Sequence, residues 1–318
     1  MLNELKNKVL NGYRLSKADC LSLINFPVDS LCKYADEIRN YFCGNVFDIC
    51  TIINGKSGNC SENCKYCAQS INFKTGITTY PLLDKNTILK DAKYNEIKGI
   101  VRYSIVTSGK KLPSKDLDKL CDIYTTIKKE SSISLCASHG LLTYNDFLKL
   151  KDSGVTRYHN NLETSRRFFP EICTTHSYDE KIRTIKDAQK AGLEVCSGGI
   201  LGLGETMEDR IDMALDLRSL GIKSIPINIL NPIKGTALEN NPPLSKEEIL
   251  KSIAIFRFII PNAFIRLAGG RGLLDDKGKS SFQSGANAVI SGDMLTISGI
   301  SINDDLEMIS QLNYKILK

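Results

Sequence analysis

The sequence contains no tryptophan and only three histidines among its 318 residues. So few imidazoles exclude a histidine-rich metal site. Long hydrophobic runs are also missing. The most apolar stretch, residues 253–260, is interrupted by Arg257 and is far shorter than the roughly 20 residues that a membrane helix requires. The N-terminal segment MLNELKNKVL has charges throughout and does not resemble a signal peptide. We therefore expect a cytoplasmic protein with no membrane partner.

Blocks of one charge are missing as well. The 42 basic and 36 acidic residues give a net charge of +6 and are scattered along the chain, so no basic tail indicates nucleic-acid binding. We interpret the small positive excess as an ordinary solvated surface. A second interpretation is that it attracts an acidic substrate or an acidic electron donor.

Cysteine, by contrast, is abundant, with 11 residues. In a long cytosolic chain, an odd number of cysteines is not expected to form a disulfide framework. Each cysteine is first interpreted as a small buried apolar residue, unless its spacing indicates chemistry.

Beyond a mixed polar and apolar helical region at residues 1–40, the pattern alternates between strands and helices. Segments rich in Val, Ile and Tyr, bounded by Gly, Pro, Asn or Ser, predict strands. The predicted strands are residues 46–53, 101–108, 132–138, 155–161, 193–200, 223–230, 263–268 and 286–291.

Helical patterns fill most of the gaps between these strands. Clear examples are residues 114–130, 178–192 and 206–221, whereas the gap before the last strand is a weak, glycine-rich segment. This alternation predicts an α/β fold, a (β/α)8 TIM-type barrel with an N-terminal helical extension. A doubly wound open sheet is the alternative. We expect a helical cap at 1–44 and a barrel at 45–318.

The strongest chemical motif is GNCSENCKYCAQS, in which Cys60, Cys64 and Cys67 are spaced as C-x3-C-x2-C. Three thiolates can hold an iron–sulfur cluster and leave one iron open to bind a substrate. Tyr66 offers an aromatic surface to a nucleobase. The alternatives are three unrelated cysteines, or a zinc loop that takes a fourth ligand from elsewhere. The position after the first strand favours the cluster, because that end of a barrel is its catalytic face.

This motif resembles the radical S-adenosylmethionine (SAM) superfamily. The resemblance implies a [4Fe–4S] cluster whose open iron binds SAM, and reductive cleavage of SAM to a 5′-deoxyadenosyl radical. A second segment, GGILGLGE, agrees with it. There Gly198, Ile200, Gly202 and Glu205 resemble the G-x-I-x-G-x-x-E pattern of the superfamily.

Within the superfamily, the sequence resembles the biotin synthase family from about residue 45 onward. The segments that carry this resemblance are CKYCAQS, YHNNLETS, VCSGGILGLGET, SIPINIL, FIRLAGGR and SGANAVISGDMLT. It implies sulfur insertion into dethiobiotin, and a C-terminal biotin- and thiamin-synthesis-associated portion at approximately 222–318. It also implies a small acidic electron donor, flavodoxin or ferredoxin, and a homodimer.

The same resemblance implies an auxiliary iron–sulfur cluster inside the barrel, [2Fe–2S] in the family, as the sulfur source. The matching ligand positions are Ser104, Cys136, Cys196 and Arg266, on four different predicted strands. We expect Cys136, Cys196 and Arg266 to act in catalysis. The alternative for the two cysteines is that they are packed core thiols.

Ser104 departs from the family pattern, because a hydroxyl is a poor ligand for a soft metal. We therefore expect an auxiliary cluster that is built differently, with Cys50 or Cys173 as a substitute ligand and with a larger iron core as a further option.

The resemblance also implies contacts to SAM or the substrate ring, for each of which a cap or turn role is the alternative. The matching residues are Asn161, Glu163, Lys181 and Asn228. His159 stands where the family commonly has Asn, and we interpret His139 and His176 as structural.

Two alternative functions remain at this point. One is another radical SAM enzyme of similar fold, such as a hydrogenase or methylornithine maturase. The other is a non-enzymatic iron–sulfur electron carrier or sensor.

Overall fold

The computed structural model describes residues 1–296 and 299–317, so residues 297, 298 and 318 of the predicted barrel range lie outside the described residues. All of its strands run parallel to their neighbours. The strands are β1 (Val46–Lys56), β2 (Arg102–Thr107), β3 (Ser134–Ser138), β4 (Val155–His159), β5 (Glu194–Cys196), β6 (Gly199–Leu201), β7 (Ser224–Ile229), β8 (Phe264–Leu267), β9 (Ala288–Ile290) and β10 (Lys315–Ile316).

The sheet closes on itself, because β1 pairs with β2 on one side and with β9 on the other. β5 and β6 are separated by two residues and both pair with β7, so they act as one strand position of the barrel. The described residues thus form an eight-position closed parallel barrel. This confirms the (β/α)8 TIM-type prediction, and the open-sheet alternative is wrong. β10, which pairs with the start of β1, was not predicted because two residues are too short to show a pattern.

Helices surround the barrel. They are α1 (Leu2–Leu10), α2 (Lys17–Ser22), α3 (Val28–Cys43), α4 (Lys85–Ile97), α5 (Ser114–Glu130), α6 (Tyr144–Asp152), α7 (Phe169–Ile172), α8 (Tyr178–Lys190), α9 (Met207–Ser219), α10 (Lys246–Ile259), α11 (Lys279–Phe282) and α12 (Ile302–Gln311). Short 3₁₀ helices lie at Leu23–Asn25 and Arg271–Leu273. None of the described helices is both long and apolar enough to cross a bilayer.

Local sequence signals explain where several helices begin. At the start of α8, the Ser177 side chain accepts from the Glu180 N–H and the Glu180 carboxylate accepts from the Ser177 N–H. Thr206 and Asp209 form the same reciprocal pair at the start of α9. Each capping box satisfies backbone donors that a helix N-terminus otherwise leaves free.

The N-terminal helices pack on the outside of the barrel, against α9 and α10. The Lys17 Nζ lies 2.7 Å from an Asp212 carboxylate oxygen, and the Arg218 side chain donates to the Leu15 carbonyl at 2.9 Å. The extension therefore covers outer helices and leaves the carboxyl ends of the strands free to build a site.

Alternation along each strand separates two environments. Phe47 and Ile49 of β1 are fully buried against the helix layer. Asp48, Cys50 and Ile52 point to the other side, into the lumen. Because side chains alternate across a strand, polar and reactive groups at every second position share the interior of the barrel.

The stretch between β5 and β6 passes very close to β7. A Cβ atom added to Gly198 would lie 1.9 Å from the Pro226 carbonyl oxygen. Gly198 is therefore required by strand packing, whatever its role toward a cofactor.

We predict that Gly198→Ala destabilises the protein by about 1–3 kcal/mol, because the new methyl group must push two strands apart. Gly272→Ala is the matched control, since its Cβ would meet no described atom within 4 Å. The control should change the free energy of unfolding by less than about 0.5 kcal/mol in denaturant titrations. Equal values for the two variants would contradict the packing argument.

Candidate active site

The three motif cysteines lie on the loop that follows β1, residues 57–71, here called the cysteine loop. The Cys60 N–H donates to the Gln69 carbonyl at 3.0 Å, and the Cys67 N–H donates to the Cys64 carbonyl at 2.9 Å. These bonds fold the loop back on itself at the carboxyl end of the barrel. The sequence-predicted triad is thus brought to the catalytic face.

A cavity of about 410 Å³ extends from this loop into the barrel. Half-buried Tyr66 and Cys67 line it from the loop. Strand residues that line it deeper include Cys50, Ser104, Cys136, His159, Cys196, Asn228 and Arg266. We call Cys50, Cys136, Cys196 and Arg266 the lumen site.

Arg266 is 1% exposed and makes several donor contacts inside the lumen. Its Nη2 donates to an Asp48 carboxylate oxygen at 2.7 Å. Its Nη1 donates to the Cys50 sulfur at 3.2 Å and to the Val289 carbonyl at 2.8 Å. A buried guanidinium without such partners would be strongly destabilising. In this structure Arg266 is therefore the charge partner of Asp48 and a hydrogen-bond donor to the Cys50 sulfur.

Positive charge exceeds negative charge in the described part of the lumen. Arg157 lies 3.2 Å from the Asp48 carboxylate, and Arg102 donates to the Cys136 sulfur at 3.7 Å. Burial acts to raise the pKa of Asp48, but the charges of Arg266, Arg157 and Arg102 outweigh it and lower that pKa to about 2. Three arginines around one buried carboxylate favour additional anionic groups, such as thiolates and sulfide.

The lumen thiols differ in acidity. Burial raises the pKa of Cys50 to about 12 and also raises the pKa of Cys136. At Cys196, burial is outweighed by the adjacent His159 ring and by the Arg266 charge, and the pKa falls to about 7. Since a metal binds the thiolate, Cys196 is the lumen cysteine most ready to bind one.

Cys50 and Cys173, the two predicted substitutes for Ser104, lie in different places. Cys50 lines the cavity together with the rest of the lumen site. Cys173 instead follows α7, with its sulfur 3.6 Å from the Cys64 sulfur and 3.3 Å from His176 Nδ1. Of the two substitutes, the structure therefore brings Cys50, and not Cys173, to the lumen site.

The Cys64 thiol donates a hydrogen bond to the Cys173 sulfur, and this bond shifts the pKa values of the two cysteines in opposite directions. The hydrogen bond from the Cys64 thiol lowers the pKa of Cys173 well below its usual range, and the same bond raises the pKa of Cys64. His176, which we predicted to be structural, also contacts Cys173 and so belongs to this group.

Several of the predicted contact residues form a connected set after β4. Asn161 accepts from the Gly198 N–H at 3.0 Å and donates to the Glu163 carboxylate at 3.3 Å. Glu163 has a positive φ of 73° and lies 3.9 Å from the buried Lys181 Nζ. Asn161 and Glu163 line the cavity, whereas Lys181 stands behind Glu163.

Asn228 also lines the cavity, but its amide is already used on both sides. It donates to the Gly199 carbonyl at 3.1 Å and accepts from the Gly269 N–H at 2.9 Å. In the described part of the chain, Gly202 and Glu205 do not line the cavity. Glu205 accepts from the Gly202 N–H at 2.9 Å and from the Arg210 side chain at 2.6 Å. These two hydrogen bonds fix the loop before α9.

His139, predicted as structural, is fully buried. Its ring nitrogens lie 3.0 Å from the Thr107 hydroxyl and 2.9 Å from the Tyr124 hydroxyl. Burial lowers the pKa of His139 to about 3, so the ring is neutral and serves as a hydrogen-bonding core residue.

Asp48, Arg157 and Arg102 are lumen residues that the sequence interpretation missed. The signal was present, because Asp48 lies two positions before Cys50 in a mostly apolar strand and Arg157 lies two positions before His159. Charges at alternate positions of a predicted barrel strand indicate a polar lumen.

Comparison with known proteins decides the family. Residues 56–217 match the radical SAM superfamily, and residues 226–315 match the Biotin and Thiamin Synthesis associated domain. A biotin synthase from Clostridium botulinum (strain Alaska E43 / Type E3) is 59% identical over 316 residues, which cover 99% of this chain and 99% of that protein. This chain belongs to the biotin synthase family. A biotin synthase from Akkermansia muciniphila is 55% identical over 316 residues, covering 99% of this chain and 98% of the relative.

Membership of the biotin synthase family confirms the predicted resemblance. It makes the chain a radical SAM enzyme that inserts sulfur, so the prediction of an enzyme is also confirmed and the non-enzymatic carrier is wrong. The family implies SAM and iron–sulfur clusters as cofactors.

Solved structures share the fold at low sequence identity. A methylornithine synthase has a TM-score of 0.86 at 20% identity, covering 99% of this chain and 97% of that one. A maturase of the [FeFe]-hydrogenase has a TM-score of 0.84 at 19% identity, covering 99% of this chain and 75% of that one. At such identities the likeness concerns the barrel alone, and the biotin synthase family remains the specific match.

The donor chemistry of the cavity fits iron–sulfur clusters. Cysteine side chains are the usual cluster ligands, and cysteines line the cavity both from the cysteine loop and from the lumen site. In addition, the buried Arg102 Nε has no hydrogen-bond partner among the described residues. An unpaired buried donor beside Cys136 suits an anionic group.

We predict that Asp48→Asn destabilises the cluster-free protein by about 3–5 kcal/mol, because it leaves Arg266 as an uncompensated buried charge, whereas Arg157 keeps its ion pair with Glu194. Glu130→Gln is the control, since the Lys93–Glu130 ion pair has side chains 43% and 44% exposed. That change should cost less than about 1 kcal/mol. Denaturant unfolding without oxygen measures both, and similar losses would contradict the role of Asp48.

Proposed function

We propose that this chain converts dethiobiotin to biotin, the product for which its relatives are named. The observation that carries the proposal is a cavity with thiols at two levels. Cys67 lines it from the cysteine loop, and the lumen site lines it from inside the barrel. Such a cavity has room for a substrate between two cofactors, one bound by the cysteine loop and one bound by the lumen site.

Cys60, Cys64 and Cys67 would hold a [4Fe–4S] cluster and leave one iron for SAM. Asn161 and Glu163, which line the cavity beside the loop, would contact SAM and substrate, with Lys181 supporting Glu163. When bound, the cluster and SAM supply a 5′-deoxyadenosyl radical, and an auxiliary iron–sulfur cluster supplies the sulfur.

The auxiliary cluster, [2Fe–2S] by family or larger here, would be held by Cys50, Cys136 and Cys196, with Arg266 beside them. Cys50 takes the place that Ser104 cannot fill, since a thiolate is the better iron ligand. The three lumen arginines would compensate the negative charge of thiolates and sulfide. Arg266 would orient Cys50, to whose sulfur it donates at 3.2 Å.

The space between the two thiol levels suits a substrate with a hydrocarbon chain. Apolar side chains line much of the cavity, among them Ile52, Val106, Ile229 and Ile290. They would exclude water and other hydrogen donors from an unactivated carbon while a radical exists there. Asn228 would fix the part of the cavity wall that contacts the substrate ring, through its hydrogen bonds to Gly199 and Gly269.

For the electron, we propose a small acidic donor, flavodoxin or ferredoxin. The net charge of +6 supports this partner, because opposite charges favour association. The homodimer remains a prediction.

Anaerobic incubation with SAM, dithionite and dethiobiotin should yield both 5′-deoxyadenosine and biotin by mass spectrometry. Cys60→Ala should remove both products, because the cluster loses a ligand. Cys121→Ala, on α5, is the control and should retain both. Deoxyadenosine without biotin from the parent protein would reject the substrate.

The auxiliary site is tested in a Cys60/Cys64/Cys67 triple-alanine variant, which should still bind iron and sulfide after reconstitution. Adding Cys50→Ala should remove most of this iron, since the lumen site loses a thiolate, whereas adding Cys121→Ala should not. Iron and sulfide analysis measures both. A triple variant without any iron would refute the second site, and full retention after Cys50→Ala would refute Cys50 as a ligand.

A further inference from the structure

A second group of metal-binding side chains lies outside the lumen. It consists of Glu62, Cys64, Cys173 and His176, here called the Cys64 group. One ligand atom each from Cys64, Cys173 and His176 lies within 4.8 Å of the others. In the part of the chain that the structure describes, this is the set of Cys, His and acidic residues that meets this spacing.

The spacing of the sulfur atoms matches a single ion. A tetrahedral ion with metal–sulfur bonds of about 2.3 Å places two sulfurs about 3.8 Å apart. The Cys64 and Cys173 sulfurs are 3.6 Å apart, and His176 Nδ1, the ring nitrogen that faces the Cys173 sulfur, is 3.3 Å from it. The motif cysteines Cys60 and Cys67 are not part of this close group.

Glu62 orients the histidine. Its carboxylate lies 2.6 Å from His176 Nδ1 and accepts from the Thr175 hydroxyl at 2.8 Å. The Glu62 and His176 side chains are each 7% exposed. Because Nδ1 also lies 3.3 Å from the Cys173 sulfur, Glu62 holds the ring with this nitrogen turned toward the two sulfurs, and an ion bound there would replace the Nδ1 proton.

The two segments are held together without a metal. The Lys65 N–H donates to the Ile172 carbonyl at 2.9 Å. The Asn63 amide donates to the Thr174 hydroxyl at 2.6 Å and accepts from the Thr174 N–H at 3.0 Å. The ligand geometry is therefore preorganised by neighbouring backbone and side chains.

We propose that, in the cluster-free protein, Cys64, Cys173 and His176 bind a single divalent transition-metal ion, with Glu62 orienting His176. Iron(II) and zinc(II) are the natural ions for this donor set. Both cysteines would bind as thiolates, and their two negative charges balance the charge of the ion. Three protein ligands leave one tetrahedral position for water.

The inference rests on the proposed function in one respect, that Cys64 is also a ligand of the [4Fe–4S] cluster. Cys64 cannot serve as a terminal ligand in both sites at once, so the single ion must leave or move before the cluster is complete. The Cys64 group therefore binds its ion only in the cluster-free protein, before the [4Fe–4S] cluster is complete.

The test is anaerobic titration of full-length, cluster-free protein with Co²⁺, whose thiolate and tetrahedral bands are visible by absorption. One equivalent should produce these bands. Cys173→Ala and His176→Ala should lose them, and Glu62→Gln should weaken Co²⁺ binding about 10–100-fold. Far-UV circular dichroism and the milder Cys173→Ser change show whether a loss of bands reflects misfolding.

Cys60→Ala is the matched control, because it removes a motif cysteine outside the Cys64 group. It should retain the Co²⁺ bands while abolishing 5′-deoxyadenosine formation. The inference is overturned if the parent protein shows no tetrahedral bands, if Cys173→Ala and His176→Ala retain them in full, or if Cys60→Ala loses them equally. Because the titration contains no SAM, iron or sulfide, its result is independent of the proposed reaction.

Discussion

The ion network of Arg266, Asp48 and Arg157 is the constraint on which the lumen depends. A buried guanidinium costs several kcal/mol unless it is paired, and here one carboxylate serves two arginines. Since Asp48 and Cys50 are neighbours on one face of β1, the same strand supplies the charge partner and a thiol. The network therefore ties the stability of the barrel to the chemistry of its interior.

The lumen thiols differ in acidity because burial, the His159 ring and the arginine charges act on them to different extents. Cys196, beside His159, has its pKa lowered to about 7, while burial raises that of Cys50 to about 12. A metal binds the thiolate form, which Cys196 reaches at a lower pH than Cys50. The excess positive charge of the lumen arginines favours binding of an anionic group there.

The mouth of the barrel has a different organisation. There the cysteine loop lies against the segment after α7, so that Cys64 has Cys173 as its nearest thiol neighbour. The loop is held by backbone hydrogen bonds and by the side chains of Glu62 and Asn63, which contact the segment after α7. The two levels of thiols thus differ in what positions them, although they line or adjoin one cavity.

Much of this protein follows from its sequence alone. Alternation of strands and helices predicts the barrel, because burying both faces of a parallel sheet requires helical crossovers. The C-x3-C-x2-C spacing predicts the triad, because residues so close in sequence must share a loop. What only the tertiary structure decides is which distant residues meet. Cys50 and Cys173 are equal candidates in sequence, yet closure of the barrel takes one to the lumen, and the path of the chain after β4 takes the other to Cys64. Long-range contacts of this kind depend on strand register and loop path, and local residue patterns carry little information about either.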